Sequence, residues 1–195
     1  QIITAHGGGG EMTRRLIARH FLPQLANKLL NPLTDSAVVD LERQRLAITT
    51  DAYVVQPLKF PGGDIGRLAV SGTVNDLAVS GAKPIALTLA VVKEEGLSIR
   101  LLDEIIASIA TTASEAGVVI ATGDTKVVEH RRGDGLIITT AGIGQVRPNA
   151  NLDTKRITIG DVLVINGSIA EHGLAVMSAR EGLAFQTDLR SDVAP

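Results

Sequence analysis

Between residues 37 and 146, short β-branched runs alternate with two longer amphipathic segments, and this order limits the fold more than any other feature. Ala37 to Asp40 and Arg45 to Thr50 read as two strands around the charged turn LERQ. The loop QPLKFPGGD follows, and its Pro57, Pro61, Gly62 and Gly63 exclude regular structure. Asp64 stands as N-cap for a helix running to about Ala82. Pro84 opens PIALTLAVV, a strand apolar on both faces. Ser98 to Gly117 is a second amphipathic helix, closed by a Gly suited to a C-cap. Val118 to Ala121, Thr125 to Glu129 and Leu136 to Val146 supply the remaining strands. With the first two of these counted as one interrupted strand, the order is β-β-α-β-α-β-β, and HRRGDG reads as a hairpin turn before the last strand. Strands paired this way, with both helices on one face, make an α+β sandwich.

The flanks are simpler. From Glu11 to about Asn27 the residues Met12, Leu16, Ile17, Phe21 and Leu25 recur at helical spacing. Residues 147–153, RPNANLD, read as a linker, and GDVLVINGSIAEHGLAVMSAREGL beyond it gives one strand and one helix. Ser168 and Glu171 have capping-box spacing for that helix. A tail of about 45 residues with one strand and one helix cannot bury a core alone. The expected organisation is a first domain over 1–146 and, over 147–195, a linker and the incomplete start of a second. The chain begins at Gln1 rather than Met and reads as a fragment.

Composition narrows the function classes. Hydrophobic residues make up 45% of the chain but aromatic ones only 2%, so the core is built from Val, Ile, Leu and Ala. A net charge of -2 offers no field for nucleic acid or a membrane surface. There is no Cys, hence no disulfide or thiolate metal site. No apolar run approaches the ~20 residues of a membrane span. The expected setting is the cytoplasm.

Three acids carry the chemical signal. At about 100° per residue, Ile65, Leu68, Ala69, Gly72, Asp76 and Val79 share one helix face, so Asp76 lies in an apolar stripe. A buried acid needs a partner; Asp76 either bonds a neighbouring strand or holds a cation. Asp51 in RLAITTD and Asp124 in VVIATGD each follow an apolar strand, where side chains from adjacent elements converge. Carboxylates without a His or Cys cluster favour Mg²⁺ over zinc, although each Asp alone also suits a cap or turn. HGGGGE precedes the first helix, so the backbone of Gly7, Gly8, Gly9 and Gly10 either cradles an anion or is an unstructured terminus. Lys126, two residues after Asp124, is either its ion-pair partner or a charge for a phosphoryl oxygen.

HGGGGE, TTDAYVVQPLKFPGGDIGRLAVSGTVNDLAVSGAKP, EEGL, TGDTKVV and GSIAEHGLAVMSAREGL together closely resemble the hydrogenase-maturation carbamoyl dehydratases of the HypE type. That group belongs to the PurM-like ATP-binding superfamily of aminoimidazole ribonucleotide synthetase, selenophosphate synthetase and thiamine-monophosphate kinase. The resemblance implies a βαββαβ-like first domain that pairs across a homodimer, its strands joining into a barrel with ATP and Mg²⁺ beside the interface. It implies that Asp51 of TTD, Asp76 of VND and Asp124 of GDTK serve the metal–phosphate site. Lys126 and Asp124 would be catalytic, and Gly7 to Gly10, Asn75 and Lys126 would bind nucleotide. The implied reaction is ATP-dependent dehydration of a thiocarboxamide on a C-terminal Cys to thiocyanate, the source of cyanide ligands for NiFe hydrogenase. The implied partners are a carbamoyltransferase and the iron–cyanide scaffold proteins. These 195 residues hold no such Cys, so the fragment itself is expected to be inactive. Two other readings stay open: a kinase or synthetase of the superfamily, or a nucleotide-binding dimerisation module.

Overall fold

The computed structural model describes residues 2–7, 10–42, 44–182 and 189–195. A five-stranded mixed sheet forms its centre, in the order β1-β2-β7-β5-β6. The strands are β1 (Ala37–Leu41), β2 (Gln44–Tyr53), β5 (Ala82–Glu94), β6 (Val119–Val128) and β7 (Leu136–Val146); contrary to the irregular loop expected of QPLKFPGGD, β3 (Lys59–Phe60) and β4 (Gly63–Asp64) make a small separate ribbon around the Pro61–Gly62 turn. Only β5 and β6 are parallel, joined through α4 (Ile99–Glu115); the other pairs are antiparallel. The fold is α+β as the strand order predicts, with α3 (Ile65–Val79) and α4 packed together on the sheet.

Alternation builds the core. Along β7 the even positions from Leu136 to Val146 are all buried against the helices. Leu87 and Val91 of β5, Ile65, Ala69, Val70 and Val74 of α3, and Ile105 and Ile109 of α4 complete the cluster. Each fully buried Leu or Ile contributes about 2 kcal/mol through apolar burial. Asp64 caps α3, its Oδ1 accepting the Arg67 N–H at 2.9 Å. Gly117 ends α4 with φ at +67°, and the Val118 N–H closes onto the Ala113 carbonyl at 2.9 Å. This is the C-cap that the sequence predicts.

Several expectations are corrected. β6 runs unbroken through Gly123, Asp124, Thr125 and Lys126. As an edge strand it bonds only β5, so an acid and a base stay in water and need no interruption. HRRGDG is no hairpin, because β5 lies between β6 and β7. A strand apolar on both faces takes an interior place, here β5 between β7 and β6, and the turn crosses its end. There the Glu94 carboxylate accepts the backbone N–H groups of Arg131 and Gly135. The buried stripe of α3 is rotated from the predicted one: Val79 is 56% exposed, while Thr73 and Leu77 are fully buried. Asp76 thus sits at the rim of the core.

The flanks differ too. The predicted first helix is broken into α1 (Glu11–Leu16), a π-helical turn (Ile17–Phe21) and the short α2 (Leu22–Leu25, with Pro23). Residues 162–165, VLVI, form no strand and are largely exposed, since no described strand lies beside them to pair their backbone. α5 (Glu171–Glu181) starts at Ala170 in the left-handed region, and no side chain caps it. The Ser168–Glu171 capping box is therefore not made. α5 does reach the core through Val176.

Candidate metal–phosphate site

β2 points Thr49, Asp51 and Tyr53 to the helix-covered side of the sheet, because alternate residues share a face. α3 lies across that side. Its Gly72 leaves room for the Tyr53 ring; a Cβ there would overlap Tyr53 Oη. The close approach brings hydroxyls and carboxylates together. Asp51 Oδ2 accepts from Tyr53 Oη at 3.1 Å and from Thr73 Oγ1 at 3.1 Å. Thr73 Oγ1 also bonds the buried Thr140 hydroxyl of β7. Thr49 Oγ1 lies 3.1 Å from Asp76 Oδ2 and 2.9 Å from the Asp35 carbonyl, so its one proton is divided between them.

The electrostatics are those of a site short of positive charge. Asp76 is pushed up to about 6, first by burial and then by the negative charge of Asp51; Asp35 adds to this and the Thr49 hydroxyl opposes it. The Tyr53 phenol is also raised, by burial first and by the charges of Asp51 and Asp76 after the opposing Thr73 bond. Two carboxylates held together in a partly dry place favour a hard cation. An apolar groove of about 780 Å³, with Leu29, Leu30, Leu33 and Ile48 in its wall, has Asp35 and Thr49 on its lining.

The predicted residues separate into two groups within the single chain. Asp51 and Asp76 meet. Asp124 does not join them: in register it shares a row with Ala90, Thr139 and Ala52, on the face opposite Asp51. Three strand spacings of ~4.8 Å, about 14 Å in all, add to that separation. The three-acid cluster is thus absent from the single chain, and among the described residues no group of three or more His, Asp or Glu stands close enough to hold a metal. Neither Asp51 nor Asp124 ends its strand; both lie inside longer strands than the sequence suggests. Lys126 Nζ is 3.9 Å from Asp124 Oδ2, with both side chains more than two-thirds exposed. Asn75 points outward and donates from Nδ2 to the Ala194 carbonyl at 3.0 Å. Gly7 ends a 3₁₀ turn and Gly10 precedes α1, while Gly8 and Gly9 lie outside the described residues. Sequence reading missed Thr49, Tyr53, Thr73 and Thr140. The signal was present for the first two: polar residues at positions 49, 51 and 53 on one face of a strand.

Residues 33–146 match the family model for AIR synthase related protein, N-terminal domain. The chain belongs to that family. Over 187 residues this AIR synthase-related chain is 46% identical to the carbamoyl dehydratase HypE of Azotobacter vinelandii, covering 96% of this chain and 55% of that protein. A crystal structure of a HypE–HypF complex superposes with a TM-score of 0.86 at 48% identity, covering 92% of this chain and 58% of that one. A crystal structure of the hydrogenase maturation protein HypE in complex with ATP gives a TM-score of 0.75 at 44% identity, covering all of this chain and 58% of that one. The chain thus spans little more than half the length of these relatives. Among the described residues no helix is long and apolar enough to cross a membrane.

Proposed function

We propose that this chain supplies the nucleotide-binding, dimer-forming part of a HypE-type carbamoyl dehydratase. In this reading the whole protein converts a thiocarboxamide on a C-terminal Cys to thiocyanate, consuming ATP and yielding ADP and phosphate, for NiFe-hydrogenase maturation. The observation that carries it is the Asp51–Asp76 pair, two carboxylates at one sheet–helix contact whose mutual repulsion a divalent cation relieves. All-oxygen donors with no His or Cys fit Mg²⁺. Bound there, Mg²⁺ would neutralise and orient the phosphates of ATP. Asp51, fixed by Tyr53 and Thr73, and Asp76, held by Thr49, would be its carboxylate ligands. Gly7 to Gly10 would close over the phosphates, and Asn75 would bind the nucleotide from the outer side of α3.

Asp124 and Lys126 enter through a second copy. They stand on the sheet face away from α3 and α4, which also carries Ile48 and Ile143, each more than 40% exposed. We place the homodimer contact on that face. Lys126 would then stabilise charge on the transferred phosphoryl group, and Asp124 would act beside it. A HypF-type carbamoyltransferase and the iron–cyanide scaffold are the proposed partners. Calorimetric titration with Mg²⁺ and ATP tests the site: the chain is expected to bind, and Asp51→Asn to weaken binding by more than about tenfold. Unchanged affinity in that variant, or ATP binding indifferent to a chelator, would defeat the assignment. The reaction is tested on the whole protein, by mass spectrometry for thiocyanate after incubation with ATP and a carbamoyl donor.

A further inference from the structure

Residues 191–194 lie against α3 and the β3–β4 ribbon through a set of bonds, and of their partners only Asn75 has a role in the chemistry above. The Ser191 N–H donates to the Pro61 carbonyl at 2.8 Å. The Val193 carbonyl accepts from Arg67 Nε at 3.1 Å, and the Ala194 carbonyl accepts from Asn75 Nδ2 at 3.0 Å. Asp192 Oδ1 accepts the His172 N–H at 2.9 Å, tying the segment to the start of α5. The side chain of Val193 packs on the core beside Gly63. Bare backbone at Gly62 permits this: a Cβ there would stand 2.7 Å from Ser191 N.

We propose that residues 191–194 are a positioning strap that sets the rotation of α3, and with it how Asp76 meets Asp51. The proposal rests on the metal–phosphate reading of that pair. Half of the eight residues that α3 buries are short (Gly66, Ala69, Ser71 and Thr73), and short side chains resist rotation about the helix axis less than Ile65 and Leu77 at its two ends. The strap grips the outer side at two points, Arg67, whose guanidinium also bonds Glu115 of α4 at 2.9 Å, and Asn75, which is adjacent to Asp76. With side chains about 5–6 Å from the helix axis, a 20° turn carries a carboxylate about 2 Å. Metal–ligand distances tolerate about 0.2 Å. A turn of only about 2–4° at that radius already exceeds the tolerance, while the buried side chains of α3 move by a few tenths of an ångström and keep their contacts.

The test is the double variant Ser191→Pro, Asp192→Ala, which removes the N–H to Pro61, the Ser191 hydroxyl beside the His172 ring and the acceptor of the His172 N–H, and leaves every residue of α3 unchanged. Calorimetry with Mg²⁺ and ATP is expected to show binding about tenfold weaker. Amide exchange at residues 75–79 should rise, with the melting temperature nearly unchanged. Faster exchange with full Mg²⁺–ATP affinity would overturn the strap. If the unmodified chain binds no Mg²⁺–ATP, the site reading fails by itself, and proton contacts between the Tyr53 ring and Gly72 then judge the strap. Their loss in the double variant supports it, and their retention overturns it.

Discussion

Asp76 titrates near pH 6 because burial and Asp51 disfavour its charge. For an acid raised on folding, the sign is opposite to that of a salt-bridged carboxylate. Below the unfolded value of 3.8 both states hold the proton, and the folded state keeps it up to about 6. The stabilising contribution is fully present in acid and is lost as pH rises through that interval. Partial exposure screens the effect. Asp76→Asn should therefore flatten this part of the stability profile and raise the melting temperature at pH 8 by about 2–4 °C. It should also abolish Mg²⁺ binding. Thermal melts at pH 5 and pH 8 check the first outcome, and a melting temperature lowered at pH 8 would contradict it. Asp51 and Asp76 were legible in the sequence because acids beside apolar residues need an explanation. Thr73 and Thr140 were not, since a buried threonine looks like any β-branched core residue until its hydroxyl is seen to face a carboxylate from another element.

The contact of α3 with β2 depends on one missing side chain. Gly72→Ala would drive a methyl group into Tyr53 Oη, and the ring or the helix must move. The expected cost is about 1–3 kcal/mol, read by urea denaturation. Loss of the Tyr53–Asp51 bond should accompany it, visible as a changed phenol titration. Stability equal to that of the unmodified chain would mean that the helix shifts freely. The elements themselves were largely legible: both long helices, the Asp64 cap, the Gly117 stop and the alternation in β7 follow from local rules. What local rules missed was adjacency. Nothing in HRRGDG says that β5 will come between its flanking strands, because the preference of a doubly apolar strand for an interior place is satisfied only after the sheet assembles. Residues 162–165 show the converse. Their run of apolar β-formers reads as a strand, yet a strand needs a neighbour, and the described residues provide none.

One face of the sheet carries α3 and α4, and the other carries no helix of comparable length. Ile48 and Ile143 are cross-strand partners at its middle, both more than 40% exposed. Ile143→Lys is expected to shift the chain from dimer to monomer in light scattering, because two copies of a charge would face each other in the proposed interface. It should reduce Mg²⁺–ATP affinity in parallel, if Lys126 of one copy serves the other. A dimer unaffected by the lysine would move the interface elsewhere. The edge of the same sheet has a different consequence. β6 presents a free row of peptide groups, and its Val119 and Val127 are more than 60% exposed. Such a strand invites stacking with its own kind into fibrils during synthesis, when many unfinished copies are crowded together. Asp124 and Lys126 sit just inside the second of those valines, and each would have to give up its water before two edges could zip. The acid and base proposed for chemistry in the assembly thus also put charge on the stretch of the sheet edge where two unfinished copies would pair.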